Sequence, residues 1–500
     1  MKADVVVVGS GIAGLTAAAL LTRKGKKVVV VEKQPSFGGS LRQFKRKKIS
    51  FDVGFHYTGC LGDGEVLDRL WHYCGVDSAL SVIPLGAKGY DRFEFTRKTD
   101  IVRGYFSYEK IISELKDQYP QERRAIDTYF SEIQRICSTV PFYHTQLPLL
   151  PFIRGYKERP TSLIRFLDSI THNDQLRAVL AAPAFLYGVP LQQASLEVHA
   201  LVAHGYYSGA YTVAGGGQAI VDSFLSVLGT GGAQLFAESP VDSILVEKGQ
   251  VAGVEIEGGE QIRCQHVIYT GHPATLVDKI PAGVFRPAYI HRLQGLKNSL
   301  SMFAVFGKGG RSFDTLKGVL NYYLLPDKGD ILPENNTAPR NMRPMMMTST
   351  RTAPLSQELL QEEQNGIILL RLGYWQDVAE FEKSSPTDRP EKYERFKGEI
   401  AAEMIEIAEQ RWGDICGKIE PLAIGTPLTF RDELAAPEGC AYGAMHCLDQ
   451  FNPDVRTRLP GLLLSGQSTL MTGVAGSSIS GLVSAGEILG IESLWEDVRR

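Results

Sequence analysis

The residues best suited to chemistry by type and spacing stand at the start of this sequence. Gly9-Ser10-Gly11-Ile12-Ala13-Gly14 is a complete G-x-G-x-x-G, and Glu32 follows 18 residues after Gly14. Gly9 permits a tight turn, Gly11 lets backbone approach a pyrophosphate, and Gly14 lets a helix and a strand pack closely. Glu32 is spaced to accept hydrogen bonds from an adenosine ribose, and its charge would repel a 2′-phosphate. The pattern implies a dinucleotide site that excludes NADP and leaves NAD and FAD open. Gly38-Gly39 then lets another backbone turn pass close to the same pyrophosphate.

Particular elements must hold these residues. Val5-Val6-Val7-Val8 reads as a parallel strand buried on both faces. Residues 15–24 read as a helix stopped by Gly25, and residues 28–31 as a second buried strand. The helix start adds unpaired N–H groups and a positive dipole end. Downstream, residues 219–227 are helical in pattern. Strand-like runs at 241–247, 251–256 and 261–264, parted by Lys248-Gly249 and Gly258-Gly259, predict a small antiparallel meander. Residues 266–270 read as a return strand ending at Gly271, and Leu462-Leu463-Leu464 as a short strand aimed at Gly466.

Composition narrows the classes. A chain of 500 residues calls for two or three cores. The net charge of -3 gives no basic field for nucleic acid. The 7 cysteines are scattered without a CxxC pair, which fits a reducing compartment and neither a disulfide framework nor a zinc site. The histidines show no ligand spacing, so no metal is expected. There is no G-x-S-x-G elbow and no second dinucleotide fingerprint. Residues 459–486 carry no charge, yet 14 of those 28 positions are Gly, Ser or Thr. A buried loop and helix are expected there rather than a membrane span. Met1-Lys2-Ala3 runs straight into the first strand, so no targeting segment is expected.

Further blocks follow in order: Phe51-Asp52-Val53-Gly54-Phe55-His56-Tyr57-Thr58-Gly59, Tyr211 to Gln218 with its Gly215-Gly216-Gly217, Pro427-Leu428-Thr429-Phe430-Arg431, Gly439 to Gly443, Ser465-Gly466-Gln467 and Gly473-Val474-Ala475-Gly476. As an ordered set they resemble the carotenoid desaturase, carotenoid isomerase and retinol saturase family of amine-oxidase-type flavoproteins. Gly466-Gln467 in place of the commoner Gly-Asp leans toward the saturase and isomerase branch, while Arg42 stands where animal retinol saturases tend to have His. The resemblance implies FAD as cofactor. It implies contacts from Gly9 to Gly14, Glu32, Lys33, Gly38, Gly39, Ser40, Leu41 and Arg42, and from His56, Tyr57, Val241, Gly271, Gly466, Gln467, Gly473, Val474 and Ala475. A helix starting at Gly473 would point its amides at the flavin's pyrimidine side and stabilise the anionic reduced ring. The expected fold is α/β, with a Rossmann-like FAD-binding domain built from residues 1–72, 212–275 and 426–500. An α+β substrate domain is inserted as residues 73–211 and 276–425.

The family's reaction moves hydride between a substrate carbon and flavin N5. His56 or Tyr57 would donate or relay the accompanying proton; the alternative is that the pair only packs on the ring. The expected substrate is a hydrophobic polyene or isoprenoid, carotenoid- or retinoid-like. Met345-Met346-Met347, Tyr322, Tyr323, Phe185 and Tyr187 would line its tunnel or belong to ordinary core. Residues 303–306, 322–325 and 366–375 read as strands of the second sheet, and residues 391–412 as an exposed helix. Electrons would come from or go to a transient NAD(P)H, quinone or oxygen partner. Residues 147–153, flanked by Arg154 and Lys157, would either dip into a membrane surface or form an interdomain loop. The expected location is cytoplasmic with peripheral membrane contact. Redox-neutral cis-trans isomerisation and a non-enzymatic prenyl-lipid escort role are the rival readings.

Overall fold

The computed structural model describes all residues except 86–88, 97–100, 105–106, 156–159, 311–320, 328–329, 337–338 and 351–365. Its first layer is a five-stranded sheet in the order Leu462–Leu464, His266–Tyr269, Val5–Val8, Val28–Val31, Gln234–Phe236. Every pairing in it is parallel. Unbroken valine runs suit this position because both faces are covered, one by helices and the other chiefly by an antiparallel meander. Helix Ile12–Arg23 leaves the end of the first strand and packs against helices Gly473–Leu489 and Gly216–Thr230. The antiparallel meander Val241–Glu247, Gln250–Ile256, Gln261–Arg263 is fastened alongside. Its first turn puts Lys248 and Gly249 at φ 51 and 76, the left-handed pair that a two-residue hairpin needs.

The uncharged stretch near the C-terminus becomes the Leu462–Leu464 strand and the buried face of Gly473–Leu489. Its small residues let two helices nearly touch: a Cβ at Gly481 would lie 2.4 Å from the Ala13 carbonyl oxygen. Among the described residues no helix is long and apolar enough to cross a membrane.

Both inserted segments feed one seven-stranded sheet, in the order Ile419–Gly425, Ser301–Gly309, Gly366–Gly373, Met345–Ser349, Asn321–Leu325, Asp91–Phe95, Ile101–Gly104. The join is the parallel pairing of Asn321–Leu325 with Asp91–Phe95. Side-chain alternation gives this roof sheet two different faces. Phe303, Val305, Tyr322, Met347 and Leu369 pack against helix Glu391–Cys416. That helix was expected to be exposed, but Ile400, Met404 and Trp412 bury one side of it. The opposite face of the sheet, with Met302, Met346, Leu370, Leu372 and Tyr323, looks toward the cofactor layer. Helices Arg123–Cys137, Asp174–Ala181 and Leu196–Ser208 close one end around Phe95, Tyr129 and Leu325.

The apolar segment at 147–153 is tied down rather than free. Leu149 is fully buried, the Trp495 indole N–H donates to the Leu147 carbonyl at 2.9 Å, and Arg154 pairs with Glu487 at 3.3 Å. Lys157 lies outside the described residues.

Candidate functional site: a cofactor cleft under an apolar cavity

The glycine loop is packed as its spacing requires. Gly9 has φ 98 and a Cβ there would sit 2.3 Å from Thr270 Oγ1; one at Gly14 would sit 2.2 Å from the Gly9 carbonyl. At Gly11, the N-cap of the first helix, a Cβ would meet nothing within 4 Å, and no side chain caps the helix. An uncapped helix N-terminus of this kind suits a pyrophosphate.

Glu32 is held beside it. Its carboxylate accepts from the Ser10 amide at 2.9 Å, the Ser10 hydroxyl at 2.6 Å and the Gln34 amide at 3.0 Å. The same Ser10 oxygen accepts from the Gly38 amide at 3.0 Å, which ties the second glycine turn to the first. Gly38 has φ 114 and closes against Val221, and a Cβ on Gly39 would lie 3.1 Å from Gly11 Cα. Arg42 is buried and donates to the Gly39 carbonyl at 3.0 Å and the Glu433 carbonyl at 3.3 Å, bracing the turn from behind. Asp52 accepts from the Gly217 amide at 2.9 Å and from Gln43 at 3.1 Å. It thereby anchors the start of helix Gly216–Thr230, and burial pushes its carboxyl up to about 6.

Beyond the loop opens a cavity of about 1350 Å³, part of it continuous with solvent. Ile12, Ser40, Leu41, Gly54, His56 and Tyr57 form its floor on one side. Gln467, Gly473 and Val474 form it on the other. Helix Gly473–Leu489 presents a second uncapped N-terminus here, and a Cβ on Gly473 would again meet nothing. Gly466 turns with φ 109 and its amide donates to Ser480 at 2.9 Å. Val241 and Gly271 do not line this cavity: Val241 packs into the meander core, and Gly271 lies against the Tyr269 ring. Lys33 reaches outward to the Asp432 carbonyl at 3.5 Å, and Ala475 packs among the helices. The ceiling is apolar, with Met302, Met346, Leu370, Leu372 and Tyr323 of the roof sheet and Phe185 beside them.

Of the residues weighed as tunnel lining or ordinary core, two, Tyr322 and Met347, point to the other face of the sheet. A third, Tyr187, gives its hydroxyl to His199 in the helical core at 3.0 Å. Strand alternation decides the first two, and the need of a buried hydroxyl for a partner decides the third.

The two central side chains differ sharply. The His56 ring is half-buried in the cavity wall with no hydrogen-bond partner among the described residues, and burial pushes its pKa down to about 4. It is a neutral imidazole at physiological pH. Tyr57 donates to Asp91 Oδ2 at 3.1 Å, and Asn321 donates to Asp91 Oδ1 at 2.6 Å. Asp91 and Asn321 carry no motif signal. The alternation Asp91, Phe93, Phe95 put the acid on an inward face, and that was the available clue. Among the described residues no group of three or more His, Cys, Asp or Glu is placed to hold a metal.

The residues fit a flavin dinucleotide: a carboxylate oriented beside the glycine loop, an uncapped helix N-terminus at Gly11 and a second one at the cavity floor. Comparison with known proteins agrees. Residues 7–74 match the family described as NAD(P)-binding Rossmann-like domain. The all-trans-retinol 13,14-reductase of Macaca fascicularis is 26% identical over 546 aligned positions, covering 100% of this chain and 87% of the reductase. The chloroplastic prolycopene isomerase of Daucus carota is 25% identical over 53% of this chain and 45% of the isomerase. Full-length likeness to retinol reductases and partial likeness to carotenoid isomerases thus support the resemblance seen in the sequence. Two solved structures share the fold. An oxidoreductase from Methanosarcina mazei has a TM-score of 0.64 at 16% identity, over 97% of this chain and 99% of that one. A putrescine oxidase triple mutant has a TM-score of 0.64 at 17% identity, over 98% and 99%. The chain is an oxidoreductase of flavoprotein type.

Proposed function

We propose that this chain is an FAD-dependent oxidoreductase acting on carbon–carbon double bonds of a hydrophobic polyene or isoprenoid, of the retinoid or carotenoid kind. The observation that carries the reading is the position of the apolar cavity. It lies between the dinucleotide cradle and a roof of methionine and leucine, with His56 and Tyr57 on its floor. The names of the full-length relatives, reductases of a retinoid, agree with that shape.

Bound FAD would have its ribose on Glu32, its pyrophosphate at Gly11 and its ring between Gly54–Tyr57 and Gly473–Val474, and would supply hydride exchange with the substrate. The protein's own share is positioning and water exclusion. The roof holds an extended apolar chain by burial, and closing water out strengthens each polar contact that remains. His56, being neutral, orients the ring or substrate through a hydrogen bond. Tyr57 carries the proton. Glu32 sets the choice against a 2′-phosphate, so NAD(P)H or a quinone would visit only transiently as electron partner.

Purified protein should be yellow and release FAD on chromatography. Incubated with a panel of retinoids and carotenes under reducing or oxidising conditions, it should change substrate mass by two hydrogens. Unchanged mass with shifted absorbance would favour isomerisation, the reading that the prolycopene isomerase likeness supports. A colourless protein that takes up no FAD would refute both and favour a lipid escort.

A further inference from the structure

We infer that Asp91 stores the proton that Tyr57 delivers to the substrate, the two side chains forming a donor pair at one end of the apolar cavity. The inference deepens the reading above and rests on it, because it presumes that the cavity hosts reduction of a carbon–carbon double bond.

Tyr57 stands in a shared wall. On one side is the main cavity; on the other is a smaller chamber of about 510 Å³ that also touches Leu186 and Tyr323. Asp91 lines the smaller chamber and not the main cavity, so it meets the substrate space through Tyr57. Its strand partner across the sheet is Gly104, where a Cβ would lie 3.0 Å from Asp91 Cβ, so the carboxyl sits at a tightly built position.

Among the described residues no cation balances it. The groups that face Asp91 are Tyr57 and Tyr90 from its own end of the chain, Tyr206 and Tyr207 from helix Leu196–Ser208, and Tyr323 and Asn321 from the neighbouring strand. Gly104 adds only backbone. The flanking Arg92 and Glu94 point to the opposite face, where Glu94 binds Arg411 at 2.8 Å. A carboxyl buried without a positive partner holds its proton more tightly. Here burial carries it up to about 7 against the opposing bonds from Asn321 and Tyr57. His56, pushed the other way, holds no proton to give.

Saturating a double bond adds a hydride to one carbon and a proton to its neighbour, the hydride coming from the reduced flavin proposed above. With Asp91 protonated, its O–H donates to the Tyr57 oxygen in place of the reverse bond, and the phenol O–H turns to the cavity. That phenol O–H bond breaks as the substrate C–H bond forms. The electron pair left on the phenol oxygen takes the proton of Asp91, whose O–H bond breaks, and the carboxylate that remains accepts from Asn321. Tyr57 needs this partner. Burial raises its phenol well above the ordinary value, so an isolated phenolate there would be strongly opposed.

The sign of the pH dependence follows. Asp91 is protonated below its raised pKa, so reduction should be fast in acid and fall as pH rises through about 7. Infrared difference spectra of the wild-type holoprotein, titrated from about pH 5 to about pH 9, should show a protonated-carboxyl band that vanishes with the same midpoint and is missing in Asp91→Asn. Asp91→Asn should reduce substrate at least about 100-fold more slowly, with no pH step. Tyr57→Phe should lose reduction but keep the infrared band. If Asp91→Asn does not fold, the wild-type titration and rate profile decide the matter together. Reduction by the wild type without a pH step, or by Asp91→Asn with the wild-type profile, overturns the pair alone. Absence of any polyene turnover overturns the functional reading and the pair with it.

Discussion

The carboxylate of Glu32 accepts from the Ser10 amide and hydroxyl and from the Gln34 amide, so it is oriented before any ligand arrives. Hydrogen bonds to a charged group contribute about 1.5–3 kcal/mol each. Glu32→Arg removes them, places a cation beside the cradle and leaves the Ser10 hydroxyl without its acceptor. FAD affinity should fall about 100-fold, measured as flavin content after gel filtration and by titration of the apoprotein; unaltered retention would move the ribose elsewhere. His56 calls for a different expectation. Its ring is already neutral above about pH 4, so no step belonging to a histidine should appear in the rate profile near the ordinary value of about 6.5. His56→Ala should keep FAD and slow turnover about tenfold, and unimpaired turnover would remove this ring from the mechanism.

Helix Gly473–Leu489 has to carry one N-terminus to the cavity floor while lying against helix Ile12–Arg23, whose own N-terminus opens at the glycine loop. Gly481 makes that approach possible, since its missing Cβ would be 2.4 Å from Ala13 O and 3.0 Å from Thr16 Cβ. Gly481→Val forces the helices apart. The cost should be about 1–3 kcal/mol, read as a lower melting temperature together with lost FAD, because both N-termini move. Gly481→Ala should fall between wild type and valine; a melting curve unchanged in the valine variant would mean that the contact is not tight. This element also shows what could be read in advance. The glycine pattern at 473–476 and the uncharged stretch around it announced a buried helix start, because a backbone that must approach a ligand leaves glycine in the sequence. Nothing local announced that Met347 and Tyr322 turn away from the cavity while Met346 and Tyr323 turn toward it. A one-residue change of strand register reverses that answer, and register is set by partners.

At the scale of the molecule, the cofactor layer was legible, whereas of the roof only the strands at 303–306, 322–325 and 366–375 were, and not their order. The pieces of the parallel sheet are marked by local signals: a valine run, a glycine turn, an acid at a fixed spacing. The roof depends on the strand Asn321–Leu325 lying beside Asp91–Phe95, a union whose buried bond joins residues separated by 230 positions. Asp91 therefore looked like an ordinary polar residue in an insertion. The division of labour between the layers can be tested at Leu370, which projects from the roof into the cavity between its register partners Ala304 and Met346. A charged group placed there has no partner, and burying it costs several kcal/mol unless it escapes to water. Leu370→Lys should thus leave FAD content and the FAD-induced rise in melting temperature as in wild type, because no roof residue forms the cradle. Polyene titration should no longer perturb the flavin absorbance, and turnover should drop at least about 100-fold, the equivalent of about 2.7 kcal/mol. A variant that loses FAD as well would mean that the two layers fold as one cooperative unit. A variant that still binds polyene would place the substrate outside this cavity.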